Sequence, residues 1–400
     1  MATMLTVHHL FLIALVLLAM PPPAVASRAE LNADLAHPAS ADDINHTLVE
    51  KLPHWLPARD AWLLKSPLED GVAVDAVVSA DGTGNYTTIS AAVAAAPTKS
   101  TARYVVHIKR GRYKELVDVG ADKWNLVLLG DGMEATTITG NRSVKGGYHT
   151  MTTATVSVHG PGFIMRDLTV ENTAGAVMEQ AVAFMSESNR SVVHRCGLRG
   201  YQDTLYAFEY EQFYSECRIS GTVDFIFGDA AAIFQNCTIL ARLPMNGQPN
   251  VITAQARADA THRTGFTFQF CTVAADDELV HANYTVKTYL GRPWQAYSRV
   301  IFMQSYLSDV VHPDGWMPWN ETNFGLNTCY YAEFSNGGPG ANINGRVKWS
   351  GVHSSLGASE AWNFTVQSLI DGNQWLPATG VSYTPGLRAC HLSSDYTVVV

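Results

Sequence analysis

The sequence is poor in charged residues and in cysteine. Charged residues make up 16% of the 400 residues, and 27 Lys and Arg against 36 Asp and Glu leave a net charge of −9. We therefore do not expect a nucleic-acid partner bound through a basic surface. Six cysteines are too few for a small fold built on disulfides. No run of 18 or more apolar residues occurs, so the sequence predicts no transmembrane helix and no membrane partner.

Residues 1–26 have the composition of a secretory signal peptide. An apolar run covers residues 10–20, three prolines follow at 21–23, and Ala24-Val-Ala26 offers a cleavage site before Ser27. The alternative, a buried N-terminal helix, is disfavoured because the prolines would end it. We therefore expect a secreted, extracellular protein. Eight N-glycosylation sequons fit that expectation, at Asn45, Asn85, Asn141, Asn189, Asn236, Asn283, Asn320 and Asn363.

The rest of the chain divides by composition into three parts. Residues 27–70 are rich in Ala, His and Asp and indicate a short pro-segment or linker, residues 71–390 a single domain, and residues 391–400 a tail. Within the domain, residues 89–96 predict one clear helix, which suits a small cap. Short β-branched and aromatic runs predict strands at 104–109, 125–130, 153–159, 163–171, 181–185, 191–198, 213–220, 232–240, 251–256, 266–273 and 299–307.

Five of these runs share one pattern, an apolar residue followed three positions later by Cys or Ser and five positions later by a second apolar residue. The pattern occurs at 193–198, 214–219, 234–239, 268–273 and 302–307, with steps of 21, 20, 34 and 34 residues. Such steps without intervening helices indicate a solenoid of β-strands in which extra residues form loops. We therefore predict an all-β fold, a right-handed parallel β-helix with short capping helices. The alternative, a β-sandwich, would show a turn every 8 to 12 residues.

Four cysteines occupy the same position of this repeat. In a β-helix they would stack about 4.8 Å apart, within the Cα separation that a disulfide tolerates. For a secreted chain we therefore predict the disulfides Cys196–Cys217 and Cys237–Cys271. The alternative is a buried ladder of free thiols. Cys329 and Cys390 lie outside the repeat.

Two aspartates have the same offset from their repeat anchors. Asp203 and Asp224 are 21 residues apart, as are Cys196 and Cys217, so they are expected on neighbouring turns. At that range one carboxyl should keep its proton because of its charged neighbour, unless a cation intervenes. Arg292, between Gly and Pro, is a candidate to hold Asp224 ionised. Asp224 would then be a nucleophile and Asp203 a general acid.

Two glutamines and four aromatic residues complete the candidate site. The amides of Gln180 and Gln202 are suited to an oxyanion, so the set predicts acyl transfer through an acyl-enzyme. Sugar rings could stack on the aromatic side chains of Tyr206, Phe227, Trp294 and Trp319. The alternative is that both aspartates are ordinary turn residues of a β-helix.

From residues 81–89 (DGTGNYTTI) to residues 375–381 (WLPATGV), the chain resembles plant pectin methylesterases, which hydrolyse the methyl esters of cell-wall homogalacturonan. The resemblance implies a right-handed parallel β-helix with a cleft on one side and a secreted enzyme of the plant cell wall. It implies Asp224 as nucleophile, Asp203 as proton donor and then base, and Gln180 and Gln202 in the oxyanion hole. Substrate contacts would come from Thr150, Arg292 and Trp294.

The same resemblance bears on partners and cofactors. It implies pectin as substrate, no cofactor and no metal, a proteinaceous pectinesterase inhibitor as partner, and a monomer. Met151, Glu179 and Asp229 differ from the residues common in the family, although none of them removes a catalytic group. The alternatives are another β-helix enzyme acting on pectin, such as a lyase or galacturonase, and a catalytically silent pectin-binding wall protein.

Overall fold

The computed structural model describes residues 73–388. The predicted signal peptide (1–26), pro-segment (27–70) and C-terminal tail (391–400) lie outside the described residues. No helix among residues 73–388 is long and apolar enough to cross a membrane.

The described chain winds through three parallel sheets in turn. Sheet A contains eleven strands, β1 Ala76–Val78, β2 Tyr104–Ile108, β5 Leu126–Gly130, β8 Ile164–Arg166, β11 Ser191–His194, β14 Glu211–Ser215, β17 Ala231–Gln235, β20 Gly265–Gln269, β23 Arg299–Met303, β25 Tyr330–Phe334 and β26 Val352–His353. Sheet B contains eight, β3 Gly111–Lys114, β6 Thr136–Gly140, β9 Thr169–Asn172, β12 Gly197–Arg199, β15 Arg218–Gly221, β18 Thr238–Ala241, β21 Thr272–Ala275 and β24 Tyr306–Leu307. Sheet C contains seven, β4 Val117–Val119, β7 Val156–Val158, β10 Phe184–Ser186, β13 Leu205–Ala207, β16 Ile226–Gly228, β19 Asn250–Gln255 and β22 Thr288–Gly291.

Successive strands pass from sheet A to B to C and back to A, and each pairs in parallel with a strand of the next turn. Such parallel crossovers are right-handed. The predicted right-handed parallel β-helix is confirmed.

The sequence repeat corresponds to stacked positions inside this β-helix. Its first apolar residues lie in register on neighbouring turns, at Val193, Tyr214, Phe234, Phe268 and Phe302. The rings of Phe234 and Phe268, and of Phe268 and Phe302, stack with centroids 4.5 Å apart. Tyr214, Phe234, Phe268 and Phe302 form an aromatic ladder. All four side chains are fully buried and belong to the hydrophobic core.

A sharp corner separates sheet A from sheet B within each repeat. The residue directly before the Cys or Ser has a left-handed backbone, with φ between 50° and 56° at Arg195, Glu216, Asn236, Phe270 and Gln304. This conformation costs a non-glycine residue about 1 to 2 kcal/mol, and the ladders on both sides of the corner offset that cost. Single strands predicted across these positions, such as 191–198, are therefore wrong. Each is two strands in different sheets.

The four repeat cysteines are free thiols, so the predicted disulfides Cys196–Cys217 and Cys237–Cys271 are wrong. Neighbouring strands lie about 4.8 Å apart, and stacked side chains leave them in the same direction, so their Cβ atoms keep about this separation. A disulfide needs Cβ atoms about 3.8 Å apart. Each thiol instead donates to a backbone carbonyl. Cys217 Sγ, for example, lies 3.3 Å from Val193 O of the preceding turn. Burial raises the pKa of Cys196, Cys217 and Cys237 well above its usual value.

Between residues 73 and 388, four short α-helices lie around the strands, α1 Ile89–Ala95, α2 Asp277–Val280, α3 Ala358–Trp362 and α4 Val366–Leu369. Helix α1 was predicted as a cap, and its residues Ile89, Ala92 and Val93 join the core. Helix α4 packs Val366 and Leu369 on the outer face of sheet A. The outer face of sheet C borders a cleft.

Candidate active site

The cleft lies on the outer face of sheet C. On this sheet Phe184, Leu205 and Ile226 point into the core, while Met185, Tyr206 and Phe227 point outwards in register. The cleft has a volume of about 430 Å³. It brings together every site residue predicted from the sequence, Thr150, Gln180, Gln202, Asp203, Tyr206, Asp224, Phe227, Arg292, Trp294 and Trp319, and adds Met151 and Ala254.

Asp203 and Asp224 occupy equivalent corners two residues before β13 and β16. Leu205 pairs with Ile226, so the 21-residue step places the two acids on neighbouring turns. Both have left-handed backbones, with φ of 63° and 51°, a conformation that Asp tolerates better than most residues. Their exposed fractions are only 7% and 6%. The structure therefore holds two carboxyl groups side by side in a largely dehydrated place.

Arg292 forms a bidentate ion pair with Asp224. Its Nε lies 2.8 Å from Asp224 Oδ1 and its Nη2 lies 2.6 Å from Oδ2. The guanidinium also lies over the Trp319 ring, 4.5 Å from the centroid, so it is held from two sides. Arg292 follows directly on β22, where Gly291 pairs with Thr253, and a Cβ on Gly291 would come within 2.1 Å of Thr253 Oγ1. Only glycine allows this close approach.

The surroundings separate the two acids by protonation. Burial, and to a smaller degree the neighbouring Asp224, raise the pKa of Asp203 well above its usual value. The pKa of Asp224 is also raised by burial, but by less, because the hydrogen bonds and charge of Arg292 act against the effect of burial. The direction agrees with the expectation from sequence, whereas the main cause is burial rather than the neighbouring carboxylate. Asp203 is thus the better proton donor and Asp224 the better nucleophile.

Gln180 and Gln202 line the cleft beside the acids. Their backbones are joined, because Ala181 N donates to Gln202 O at 3.1 Å. Gln180 Oε1 is buried and has no hydrogen-bond partner within residues 73–388. This unpaired oxygen is an acceptor, so it is open to a donor group of a bound molecule. Thr150 begins the 3₁₀ turn Thr150–Thr153 at the rim.

The aromatic residues form one wall of the cleft. Tyr206 and Phe227 stack with centroids 4.2 Å apart, and Trp294 leans against Phe227 at 5.9 Å. Ala254, in register with Phe227, is the neighbour that sequence reasoning missed. Its small side chain lines the cleft between Phe227 and Arg292, but an alanine carries no chemical signal that could have singled it out.

A further polar segment of the sequence lies outside the cleft. Residues 111–115 put polar groups among apolar ones, yet Gly111–Lys114 is β3 of sheet B. Glu115 accepts hydrogen bonds from the backbone N–H groups of Ile89 and Ser90 at 2.9 and 3.0 Å. It therefore caps helix α1. Within the described part of the chain, no group of three or more His, Cys, Asp or Glu could hold a metal ion.

The geometry suits acyl transfer. A carboxyl group paired with a guanidinium, a second carboxyl group of higher pKa and neutral amide side chains converge on one cavity. This is the set needed to attack a carbonyl, stabilise an oxyanion and protonate a leaving group. The stacked aromatic wall offers the apolar faces on which a ring-shaped substrate can lie.

Comparison with known proteins agrees with this geometry. The Pectinesterase family model matches residues 75–373. The chain is 53% identical over 343 residues to "Probable pectinesterase/pectinesterase inhibitor 32" of Arabidopsis thaliana, covering 86% of this chain and 64% of that protein. It is 52% identical over 335 residues to "Pectinesterase/pectinesterase inhibitor PPE8B" of Prunus persica, covering 84% and 63%. The chain thus spans less than two thirds of the length of these relatives.

A solved structure supports the same assignment. The pectin methylesterase from carrot superposes with a TM-score of 0.78 at 46% identity, covering 80% of this chain and 99% of that one. The family model, the curated relatives and this structure all match the part of the chain that forms the β-helix and its cleft. The chain belongs to the pectinesterase family.

Proposed function

We propose that this protein is a pectin methylesterase, which hydrolyses the methyl esters of homogalacturonan and releases methanol. The observation that carries the proposal is the bidentate pair between Arg292 and Asp224 beside the buried Asp203, whose pKa burial raises well above its usual value. Family membership supports the substrate class. The alternatives from the sequence, a silent wall protein and a different pectin-degrading enzyme, give no role to a guanidinium that holds Asp224 beside a second buried carboxyl group.

In the first half-reaction the Asp224 carboxylate attacks the ester carbonyl carbon. The carbonyl oxygen becomes an oxyanion, to which Gln180 and Gln202 donate from their side-chain amides. When the C–O bond to the methoxy group breaks, Asp203 gives its proton to the departing oxygen, so methanol leaves and an acyl-enzyme anhydride remains on Asp224.

In the second half-reaction Asp203, now ionised, takes a proton from water. The resulting hydroxide attacks the acyl carbon, and the anhydride bond to Asp224 breaks. The product leaves as a galacturonic acid, which then loses its remaining carboxyl proton to the solvent. Asp224 recovers its negative charge beside Arg292, and Asp203 holds its proton again. Each group thus returns to the state that its surroundings favour.

The cleft walls supply the binding. We propose that sugar rings lie against Tyr206, Phe227 and Trp294. Trp319 holds Arg292 at the edge of this aromatic wall. Thr150 contacts the galacturonate chain from the opposite rim. Arg292 has the charge to meet a galacturonate carboxylate in addition to holding Asp224.

The test is an assay of methanol release from highly methylated pectin. A pectin methylesterase releases methanol without creating new reducing ends or unsaturated products. New reducing ends would identify a galacturonase, and unsaturated ends a lyase. Binding to pectin without any product would identify a silent wall protein, and each of these outcomes would overturn the proposal.

We further propose a secreted, glycosylated monomer that acts in the plant cell wall and is bound by a proteinaceous pectinesterase inhibitor. The apolar segment 10–20, the sequons and the plant relatives support this. N-terminal sequencing of the protein secreted from plant cells should begin at Ser27, and light scattering should give the mass of one chain. An uncleaved N-terminus or retention inside the cell would contradict the proposed location.

A further inference from the structure

A buried asparagine joins three segments of the chain, two of which carry residues of the cleft. Asn172 is the last residue of β9 and is 3% exposed. Its Oδ1 accepts a hydrogen bond from Ala174 N at 3.0 Å, which directs Nδ2 the other way. Nδ2 lies 2.8, 3.0 and 3.2 Å from the carbonyl oxygens of Arg142, Val182 and Thr153. An amide has two N–H bonds, so the three carbonyls share them.

The acceptors of Asn172 lead directly to predicted site residues. Val182 follows Gln180 by two residues, and Thr153 ends the 3₁₀ turn that Thr150 begins. Thr153 closes the connection through its hydroxyl, which accepts from Val182 N at 3.0 Å and donates to Thr150 O at 2.6 Å. The segments carrying Gln180 and Thr150 are therefore fixed to each other by two adjoining buried side chains.

Backbone hydrogen bonds also hold the segment that carries Gln180. Gln180 O accepts from Val144 N at 2.9 Å, and Ala181 N donates to Gln202 O at 3.1 Å. These bonds hold the segment at its start, on the side of the loop and of the next turn. At its far end Val182 O also accepts from Thr155 N at 3.2 Å, and Ala183 N donates to Thr204 O at 2.8 Å. To these bonds Asn172 adds a buried side-chain donor that ties this end to β9 and to the turn Thr150–Thr153. Without it, carbonyl groups shielded from water lose a donor.

We propose that Asn172 is a positioning residue that sets the Gln180 amide against the carbonyl attacked by Asp224. The inference rests on the proposed function, since it takes Gln180 as an oxyanion donor. Such a donor must lie about 2.7 to 3.1 Å from the developing oxyanion, so a small displacement of its segment weakens the stabilisation of the transition state. Asn172 itself touches no substrate.

Kinetics of three variants test the proposal. Asn172→Ala and the isosteric Asn172→Asp both remove the donors, and Asn172→Ser keeps one hydroxyl donor. We expect the first two to lower kcat about 10- to 100-fold while KM changes less than about threefold, with partial recovery in the serine variant. Asn336→Ala is the matched control, because Asn336 also donates to a backbone carbonyl, that of Phe302 at 2.9 Å, away from the cleft. Its kcat should equal that of the wild type.

A double variant separates positioning from general damage. In a Gln180→Ala background, Asn172→Ala should lower kcat by less than a further factor of about two, because the group it positions is gone. The same loss in both backgrounds, or a normal kcat for folded Asn172→Ala, would overturn the proposal.

Hydrogen exchange gives a reading that needs no activity. Peptides covering residues 150–155 and 177–183 should exchange faster in all three Asn172 variants than in the wild type and in Asn336→Ala. If the wild type released no methanol while these peptides still exchanged faster, the proposed function would fail and the positioning would stand. Unchanged exchange in both peptides would refute the positioning of Gln180 itself.

Discussion

Replacing Arg292 by alanine should move the pH dependence of the enzyme upward. Asp224 has to be ionised to attack, and Arg292 favours its ionised form with two charge-assisted hydrogen bonds of 2.8 and 2.6 Å. Burial acts in the opposite direction and raises the pKa of Asp224. Without the guanidinium, burial acts unopposed and the pKa of Asp224 rises further. Because activity is lost as pH falls through this pKa, the acid limb moves to higher pH.

The size of the change follows from the contact. An opposite charge at hydrogen-bond distance lowers the pKa of a carboxyl by about 1 to 3, so Arg292→Ala should move the acid limb up by about 1 to 3 pH units. Each pH unit corresponds to about 1.4 kcal/mol of lost preference for the ionised form. The side chains are 19% and 8% exposed, so solvent screens the pair little. Arg292 also lowers the pKa of Asp203, so the basic limb should rise with the acid limb.

The assay is methanol release from methylated pectin as a function of pH, fitted separately for kcat and kcat/KM. Arg292→Lys should recover only part of the shift, since a point charge lacks the two-pronged geometry. Arg195→Ala is the matched control. Arg195 forms an equally short bidentate pair with Asp167, at 2.6 and 2.7 Å, at a corner between sheets A and B. An unchanged acid limb in Arg292→Ala with an increased KM would refute the reasoning and leave Arg292 as a substrate-binding residue.

Three further outcomes are expected. Asp224→Asn should lower turnover at least about a thousandfold without loss of folding, because an amide cannot form the acyl-enzyme. Asp203→Asn should also strongly lower turnover, because methoxide leaves poorly without a proton. Near-normal methanol release from either variant would contradict the role of that residue. Phe268→Ala should destabilise the fold by about 3 to 5 kcal/mol in denaturant unfolding, because Phe268 stacks on both neighbours of the aromatic ladder; a loss below about 1 kcal/mol would show that the ladder contributes little. Non-reducing digestion and mass spectrometry should find that the four repeat cysteines are thiols that are alkylated only after unfolding. A disulfide-linked peptide that contains Cys196, Cys217, Cys237 or Cys271 would contradict the structure.

Both catalytic candidates lie at left-handed corners, where the backbone of a non-glycine residue is strained. Asp203 and Asp224 adopt the same strained backbone as the corner residues between sheets A and B. At a functional site such strain persists only where the surroundings enforce it. Here β13 and β16, paired in register, fix the two corners one above the other. The strained backbone thereby presents both carboxyl groups to the same cavity.

Much of the architecture could be predicted because a β-helix repeats its local pattern on every turn. Residues with the same offset from their anchors stack, so equal spacing in the sequence becomes contact in space. The ladder from Tyr214 to Phe302 and the adjacency of Asp203 and Asp224 both follow from this rule. The predicted strands were too long because a single left-handed residue, such as Arg195, ends one sheet and begins the next.

For the site, too, some features could be predicted from the sequence and others could not. Their convergence in one cleft follows from the sequence and its resemblance to a family, although their catalytic roles stay predictions until the variants are measured. Three features depended on the tertiary structure. The bidentate fit of Arg292 joins residues 68 positions apart, and burial rather than charge is the main reason for the raised pKa of Asp203. Ala254 and Asn172 were not suspected from the sequence.

The sequence by itself determined the β-helix, the stacking of its core and the identity of the chemical groups, because these follow from local spacing that recurs from turn to turn. The tertiary structure alone decided how far each group is buried, which atoms meet across loops of unequal length, and that the stacked cysteines stay apart as thiols. Those properties depend on distances and directions between distant segments. No local pattern of residues records them, because the same spacing fits a disulfide or a thiol ladder, and only side-chain direction separates the two.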